Sequence, residues 1–294
     1  MSVVPELWKL MRPRHWVKNG FVLMGAVFAN AWHDPTIVKA VILTTVAFSL
    51  AASGVYVFND LFDRQSDAAD PKKRDRPLAA GTISTPMALA FQFILWLTGF
   101  GVALMASPRV LLILVIYVGI NVLYSIRLKH VVLLDVFSIA FGFILRILAG
   151  TTGVGIEPSQ WLLLCGLMIA LFLGFAKRRA EIYALDIGGS NGPLPRKVLH
   201  NYQPVFLDKM ITMTATCVIL TYSLYTMSTQ TIQYHHTDKL MYTVPFVMYG
   251  VFRYIYSLHR QTTGSDPATE IFRDPHLVFA LAGWLIVTVW IIAR

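Results

Sequence analysis

Apolar runs of roughly membrane-crossing length recur along nearly the whole chain and leave no room for a soluble domain. A helical crossing needs roughly 20 predominantly apolar residues. Nine stretches fit: about 16–33, 37–58, 84–106, 109–126, 132–153, 160–177, 204–229, 240–258 and 275–293. The fourth is short and the seventh is rich in threonine. The loops between them alternate in character. Those at 59–83, 127–131, 178–203 and 259–274 are long or charged, whereas 34–36, 107–108, 154–159 and 230–239 are short or nearly neutral. Ahead of the first run, residues 1–14 set Leu7, Trp8, Leu10 and Met11 beside Lys9 and Arg12, the pattern of a helix lying in the membrane interface. They show neither the apolar core nor the small-residue cleavage site of a signal peptide. The predicted fold is an all-α integral membrane protein, a single transmembrane domain over 1–294.

Composition agrees: 56% of the 294 residues are hydrophobic and only 14% are charged. The net charge of +9 could point to nucleic acid in a soluble protein. Here its geography gives a simpler reason. Of the 25 Lys and Arg, twenty fall on the side that holds the N-terminus and the charged loops. Four (Lys39, Arg109, Lys239 and Arg294) fall on the other, and Arg146 lies within a span. Basic loops stay cytoplasmic, so the N-terminus is predicted inside, the C-terminus outside, and the number of crossings odd. Topology accounts for the charge without a nucleic-acid partner. The two cysteines, Cys165 and Cys217, lie in apolar runs and read as packing residues. The sequence leaves a homo-oligomer open.

The loop after the second span carries the densest chemistry. Between Asn59 and Pro77 it holds Asp60, Asp63, Asp67, Asp70 and Asp75, together with Arg64, Lys72, Lys73, Arg74 and Arg76. On a continuing helix, Asn59, Asp63 and Asp67 at i, i+4 and i+8 would fall within an arc of about 80°. Like charges stacked this way repel one another unless a cation sits among them, and hard oxygens suit Mg²⁺. The basic residues that follow suit phosphates, or they set topology, or both. The fifth span aligns Asp135, Ser138, Gly142 and Arg146 on one small, polar face. An ionisable group within a span marks function by default, and arginine grips phosphate bidentately. The alternative for Arg146 is an internal ion pair. Tyr124 and Lys129 precede that span, and Tyr124 also fits an aromatic belt. Lys177, Arg178 and Glu181 follow the sixth span, and Lys18 sits just inside the first. His235 and His236 have no clustered partner in sequence, and no Ser/His/Asp arrangement or glycine-rich phosphate loop is legible.

Together these residues resemble the UbiA superfamily of intramembrane prenyltransferases, whose signature Asn-Asp-x-x-Asp-x-x-x-Asp stands here as Asn59, Asp60, Asp63 and Asp67, followed by Lys73-Arg-Asp-Arg76-Pro77. The resemblance implies nine transmembrane helices around a central cavity, with Mg²⁺ and a diphosphate at the cytoplasmic end. The family's second Asp-x-x-x-Asp motif retains Asp135 but has Ile139 in place of the partner acid. That departure, with Arg12-Pro-x-x-Trp16-x-Lys18-Asn19, Tyr124-Ser-x-x-Leu-Lys129, Gly142-Phe-x-Leu-Arg146, Lys177-Arg178-x-x-Glu181, Asp266-Pro and Arg273-Asp274-Pro, is more similar to the decaprenyl-phosphate phosphoribosyltransferase branch. In that branch the metal-bound diphosphate belongs to phosphoribosyl pyrophosphate, and a polyprenyl phosphate is the acceptor. The resemblance implies metal binding by Asn59, Asp63, Asp67 and Asp135, with Asp60, Asp63 and Asp67 catalytic. It implies substrate binding by Lys18, Lys73, Arg76, Tyr124, Lys129, Arg146, Lys177, Arg178 and Glu181. It further implies a multi-pass enzyme of the bacterial plasma membrane, working in cell-wall biosynthesis with a cytoplasmic active site. The rival readings are an aromatic prenyltransferase fed by a polyprenyl diphosphate, and a lipid transporter. The inner-side clustering of the acids, with no polar path continuing outward, argues against the transporter.

Overall fold

The chain between Asp34 and Asp63 shows how the helices are set. Asp34 accepts hydrogen bonds from the backbone N–H groups of Thr36 at 2.8 Å and Ile37 at 3.4 Å, and Pro35 occupies the first helical position. Such a start satisfies orphan donors and presets the first turn. The helix then runs unbroken over Pro35–Phe62, 28 residues. At 1.5 Å per residue that is about 42 Å, against a hydrocarbon layer of about 30 Å, so its last turns, with Asn59 and Asp60, extend into the headgroup region.

The computed structural model describes residues 3–71, 73–187, 197–260 and 273–293. Lys72, Asp266, Pro267 and Arg294 lie outside the described residues, as do 188–196 and 261–272 of the two late charged loops. Every regular element among the described residues is helical. In chain order the α-helices are α1 Val3–Met11, α2 Gly20–Phe28, α3 Pro35–Phe62, α4 Arg64–Ala69, α5 Thr85–Ala106, α6 Pro108–Ile126, α7 Leu134–Ala149, α8 Gln160–Ile187, α9 Pro204–Met227, α10 Thr229–His235, α11 Val244–Arg260 and α12 Pro275–Ile292. They divide between two compact units, Met1–Pro158 and Ser159–Arg294.

In the first unit, α3 is the central element, packed by α5, α6, α2 and α1. Small residues let the backbones close in, as membrane helices require in the absence of a hydrophobic drive between them. A Cβ on Gly54 would stand 2.4 Å from the Trp96 ring, and one on Gly99 would stand 3.3 Å from the Ala47 carbonyl. The buried core gathers Val22, Phe48, Ala51, Leu114, Tyr117 and Leu145. A second cluster of Leu10, Val57, Leu78, Ile83 and Leu95 docks α1 and the post-α4 turn onto α3 and α5. In the second unit, α8 packs on α9, and α11 packs on both α9 and α12. There the Tyr222 hydroxyl accepts a hydrogen bond from Trp284 Nε1 at 2.7 Å and lies 2.7 Å from the Thr243 hydroxyl.

Among the described residues, seven helices (α3, α5, α6, α7, α8, α9 and α12) are long and apolar enough to cross a membrane. This bears out the multi-pass all-α class, while the predicted count of nine differs at two places. The stretch at 16–33 forms a 3₁₀ segment, Pro13–Asn19, ahead of the nine-residue α2. Its polar residues bond sideways to α3 instead of facing lipid, as described below. At 240–258 a 3₁₀ turn, Lys239–Thr243, takes the first residues and leaves the 17-residue α11, which carries Arg253, His259 and Arg260.

Candidate functional site

The signature acids sit where α3 ends. Asp60 is in its last turn, Asp63 caps it, and Asp67 belongs to α4. The predicted stripe is therefore interrupted. Asp63 adopts φ −91° and ψ 5°, so the two helices are separate. Backbone i→i−4 bonds nevertheless cross the break, from Asp63 N to Asn59 O at 2.9 Å and from Asp67 N to Asp63 O at 2.8 Å. The acids remain one turn apart, and Asn59 is half-buried beside them.

Each acid meets a cation. Arg76 NH1 donates to Asp60 Oδ1 at 3.1 Å and to Asp67 Oδ2 at 2.6 Å, joining two carboxylates through one nitrogen. Arg12 NH2 donates to Asp60 Oδ1 at 2.5 Å while its guanidinium lies over the Tyr56 ring. Lys73 Nζ is 3.8 Å from Asp67 Oδ1 and 3.1 Å from Asp70 Oδ2. Lys129, on the 3₁₀ turn between α6 and α7, sends its buried ammonium 2.5 Å from Asp63 Oδ1 and over the Phe62 ring. A buried carboxylate needs such pairing to offset its desolvation. Two of the four non-glycine residues with positive φ among the described residues flank this cluster: Arg12 at 52° and Leu133 at 69°. Backbone held in sparsely populated regions gathers at functional sites. Leu133 leads directly into α7, whose first turn carries the wholly buried Asp135. A carboxylate there is favoured by the helix dipole.

The donor chemistry of Asn59, Asp60, Asp63 and Asp67, hard oxygens on adjoining turns, fits a divalent cation such as Mg²⁺. In the present side-chain arrangement, no three His, Cys, Asp or Glu side chains among the described residues converge as metal ligands, because guanidinium and ammonium groups stand between the carboxylates.

Arg146 is placed differently from the other predicted phosphate binders. It is buried and makes one hydrogen bond from each guanidinium nitrogen: Nε to Asn19 Oδ1 at 2.9 Å, NH1 to the Gly142 carbonyl at 2.9 Å, and NH2 to the Tyr117 hydroxyl at 2.8 Å. The rings of Tyr117, Phe143 and Phe48 lie within 5.9 Å of it. It has no carboxylate partner among the described residues, so the alternative of an internal ion pair does not describe it either. Lys18 and Tyr124 are half-buried, at the end of the 3₁₀ segment and in the last turns of α6. In the second unit, Arg178 is fully buried on α8 and donates to Glu181 Oε2 at 2.5 Å, with half-buried Lys177 beside it. Arg12 is the site residue that sequence reasoning left off its list. The Arg-Pro pair at 12–13 was the available signal, but its contact with Asp60 spans 48 positions and depends on how α1 docks.

Comparison with known proteins extends the likeness over the whole chain. The UbiA prenyltransferase family matches residues 20–274. A decaprenyl-phosphate phosphoribosyltransferase of Corynebacterium glutamicum is 33% identical over 283 residues, 93% of this chain and 83% of that protein. One of Mycobacterium tuberculosis is 30% identical over 288 residues, 97% and 93% of the two chains. Among solved structures, a UbiA homolog from Archaeoglobus fulgidus bound to GPP and Mg²⁺ superposes with a TM-score of 0.74 at 15% identity, covering 98% of this chain and all of that one. The acid motif and these full-length matches lead to one conclusion: the chain belongs to the UbiA prenyltransferase family.

Proposed function

We propose that this chain transfers 5-phosphoribose from phosphoribosyl pyrophosphate to a polyprenyl phosphate, releasing pyrophosphate. The observation that carries the reading is the near-full-length match, at about a third identity, to proteins named decaprenyl-phosphate phosphoribosyltransferase. Asp135 with Ile139 in place of a second acid agrees with it.

In this reading Asn59, Asp63 and Asp67 hold Mg²⁺, Asp60 assists, and Asp135 is a further ligand or a ribose contact. The bound cation supplies neutralisation of charge on the departing pyrophosphate. Lys73, Arg76 and Lys129 already lie against the acids and are within reach of the same phosphates. Lys177, Arg178, Glu181, Lys18 and Tyr124 complete the proposed substrate contacts. The bond from ribose C1 to the pyrophosphate oxygen breaks and its electron pair leaves with pyrophosphate. A lipid phosphate oxygen forms the new bond on the opposite face, through an oxocarbenium-like transition state. That oxygen is already ionised, so no strong general base is required. The charge asymmetry supports a site on the cytoplasmic side of the membrane, and the bacterial relatives support a bacterial plasma membrane.

Radiolabelled phosphoribosyl pyrophosphate and polyprenyl phosphate, incubated with the purified protein in detergent, should give a lipid-extractable label that depends on Mg²⁺. No label, with pyrophosphate released instead from a polyprenyl diphosphate, would favour the aromatic prenyltransferase. Asp63→Ala and Asp67→Ala should each abolish the transfer, and full activity in both would overturn the metal assignment.

A further inference from the structure

The buried contacts of Arg146 form a chain that leads toward the acids. Asn19, which accepts from Arg146 Nε, is itself buried and donates through Nδ2 to the Ser49 hydroxyl of α3 at 2.9 Å. One turn further along α3, the Ser53 hydroxyl accepts from Trp16 Nε1 at 3.1 Å and donates to the Met11 carbonyl at 3.0 Å. Two turns beyond that, Asp60 accepts from Arg12. The 3₁₀ segment Pro13–Asn19 is thus pinned to α3 at both ends and in its middle, and Arg146 on α7 holds its far end. Three of the five N–H donors of Arg146 are engaged and its faces lie against rings, so a phosphate would find only one N–H on each terminal nitrogen, both already held in place by protein partners.

We infer that Arg146 is a positioning residue: through Asn19 it locks the Pro13–Asn19 segment, and with it Lys18 and Arg12, against α3, and it binds no substrate phosphate itself. A charge inside a span is costly. Three hydrogen bonds and aromatic faces compensate it here, and what they secure is the 3₁₀ stretch that links α1 to α2 beside the acids. The catalytic part of the inference rests on the proposed phosphoribosyl transfer, whereas the clamp does not.

Hydrogen–deuterium exchange of the peptide covering residues 12–20, together with transfer kinetics in detergent, tests both parts. Arg146→Gln and Asn19→Leu should each speed exchange in that peptide at least fivefold and lower kcat/KM about tenfold. In the Asn19→Leu background, Arg146→Gln should cost less than twofold more. Asn19→Asp, which keeps an acceptor for Nε but loses the Nδ2 donor to Ser49, should restore exchange protection and turnover in part relative to Asn19→Leu. An Arg146→Gln effect undiminished in the Asn19→Leu background would show a direct ligand and overturn the inference, as would unchanged exchange in both single variants. Should the wild type show no phosphoribosyl transfer, the exchange result still decides the clamp.

Discussion

At the residue scale, the clearest consequence is for Arg76. One of its nitrogens serves both Asp60 and Asp67, and two carboxylates brought this close repel each other unless a cation sits between them. Arg76→Gln leaves a buried acid pair with too little positive charge. The side chain is 30% exposed, so water softens the loss below that of a fully buried pair. Asp60→Asn should recover part of it. The coupling in a cycle of the two variants should be about 1–3 kcal/mol, read as unfolding free energy in mixed micelles, and strict additivity would refute the shared bridge. The sequence made the acids legible because Asn59, Asp60, Asp63 and Asp67 are local in spacing. It did not reveal which cation meets which acid. Arg12 and Lys129 come from 48 and 66 positions away, and their approach is fixed by helix docking, which no spacing encodes. The partners of Arg146 were hidden for the same reason. A charge in a span looks like a ligand site until its protein partners Asn19 and Tyr117, remote in sequence, are seen to satisfy it.

At the element scale, helix–helix approach turns on single glycines. A Cβ on Gly150, at the end of α7, would fall 1.8 Å from the Val22 carbonyl oxygen of α2, and one on Gly25 would fall 2.4 Å from the Gly150 carbonyl oxygen. Backbone cannot swing aside as a side chain can, so Gly150→Ala must separate α2 from α7. Overpacking typically costs about 1–3 kcal/mol, occasionally more. The variant should show a lowered thermal midpoint and less folded protein. Gly101→Ala on α5 meets nothing within 4 Å and should be neutral or gain up to about 1 kcal/mol from helix propensity; equal losses in the two would exclude the crossing as the cause. The start of α12 carries a pH effect. The hydrogen bond from Arg253 Nε to Asp274 Oδ2, at 2.7 Å, holds the carboxyl below its ordinary 3.8, aided by the bond from His276 N and opposed by slight burial. A depressed carboxylate contributes stability that is complete above 3.8 and is lost as pH falls through the lower folded value. The thermal midpoint of Asp274→Asn should therefore trail the wild type by a constant margin from pH 5 to 8, and the margin should shrink below about pH 4. A margin that grows there would contradict the assignment. Helix existence was largely legible from apolar run length. The two shortfalls, at 16–33 and 240–258, arise where Asn19, Trp16 and the Lys239–Thr243 turn use local or sideways hydrogen bonds that hydropathy does not register.

At the scale of the whole molecule, we propose an orientation from the charge asymmetry and the length of α3 together. Asp34 and Asp60 stand at opposite ends of a helix longer than the hydrocarbon layer, so the loop at 30–34 and the acid cluster lie on opposite faces of the membrane. Basic residues crowd the acid end, so in the proposed orientation that end is the cytoplasmic one. The N-terminal helix α1 packs against the same end of α3 through Leu10 and Val57. The proposed orientation then requires the chain to cross once between Arg12 and His33, although no long apolar helix among the described residues does so. The seven residues of the 3₁₀ segment at about 2.0 Å each and the nine of α2 at about 1.5 Å each reach roughly 28 Å laid end to end, close to the thickness of the layer. In a background carrying Cys165→Ser and Cys217→Ser, His33→Cys should react with a membrane-impermeant maleimide added to intact cells. Arg74→Cys, in the exposed turn beyond the acids, should react only in inverted vesicles. Labelling of both positions from the same side would mean that α3 does not cross, and the crossing inferred at 13–28 would fall with it. A reversed pattern would place the acids outside, out of reach of a cytoplasmic sugar diphosphate, and the proposed reaction would have to be abandoned along with the orientation.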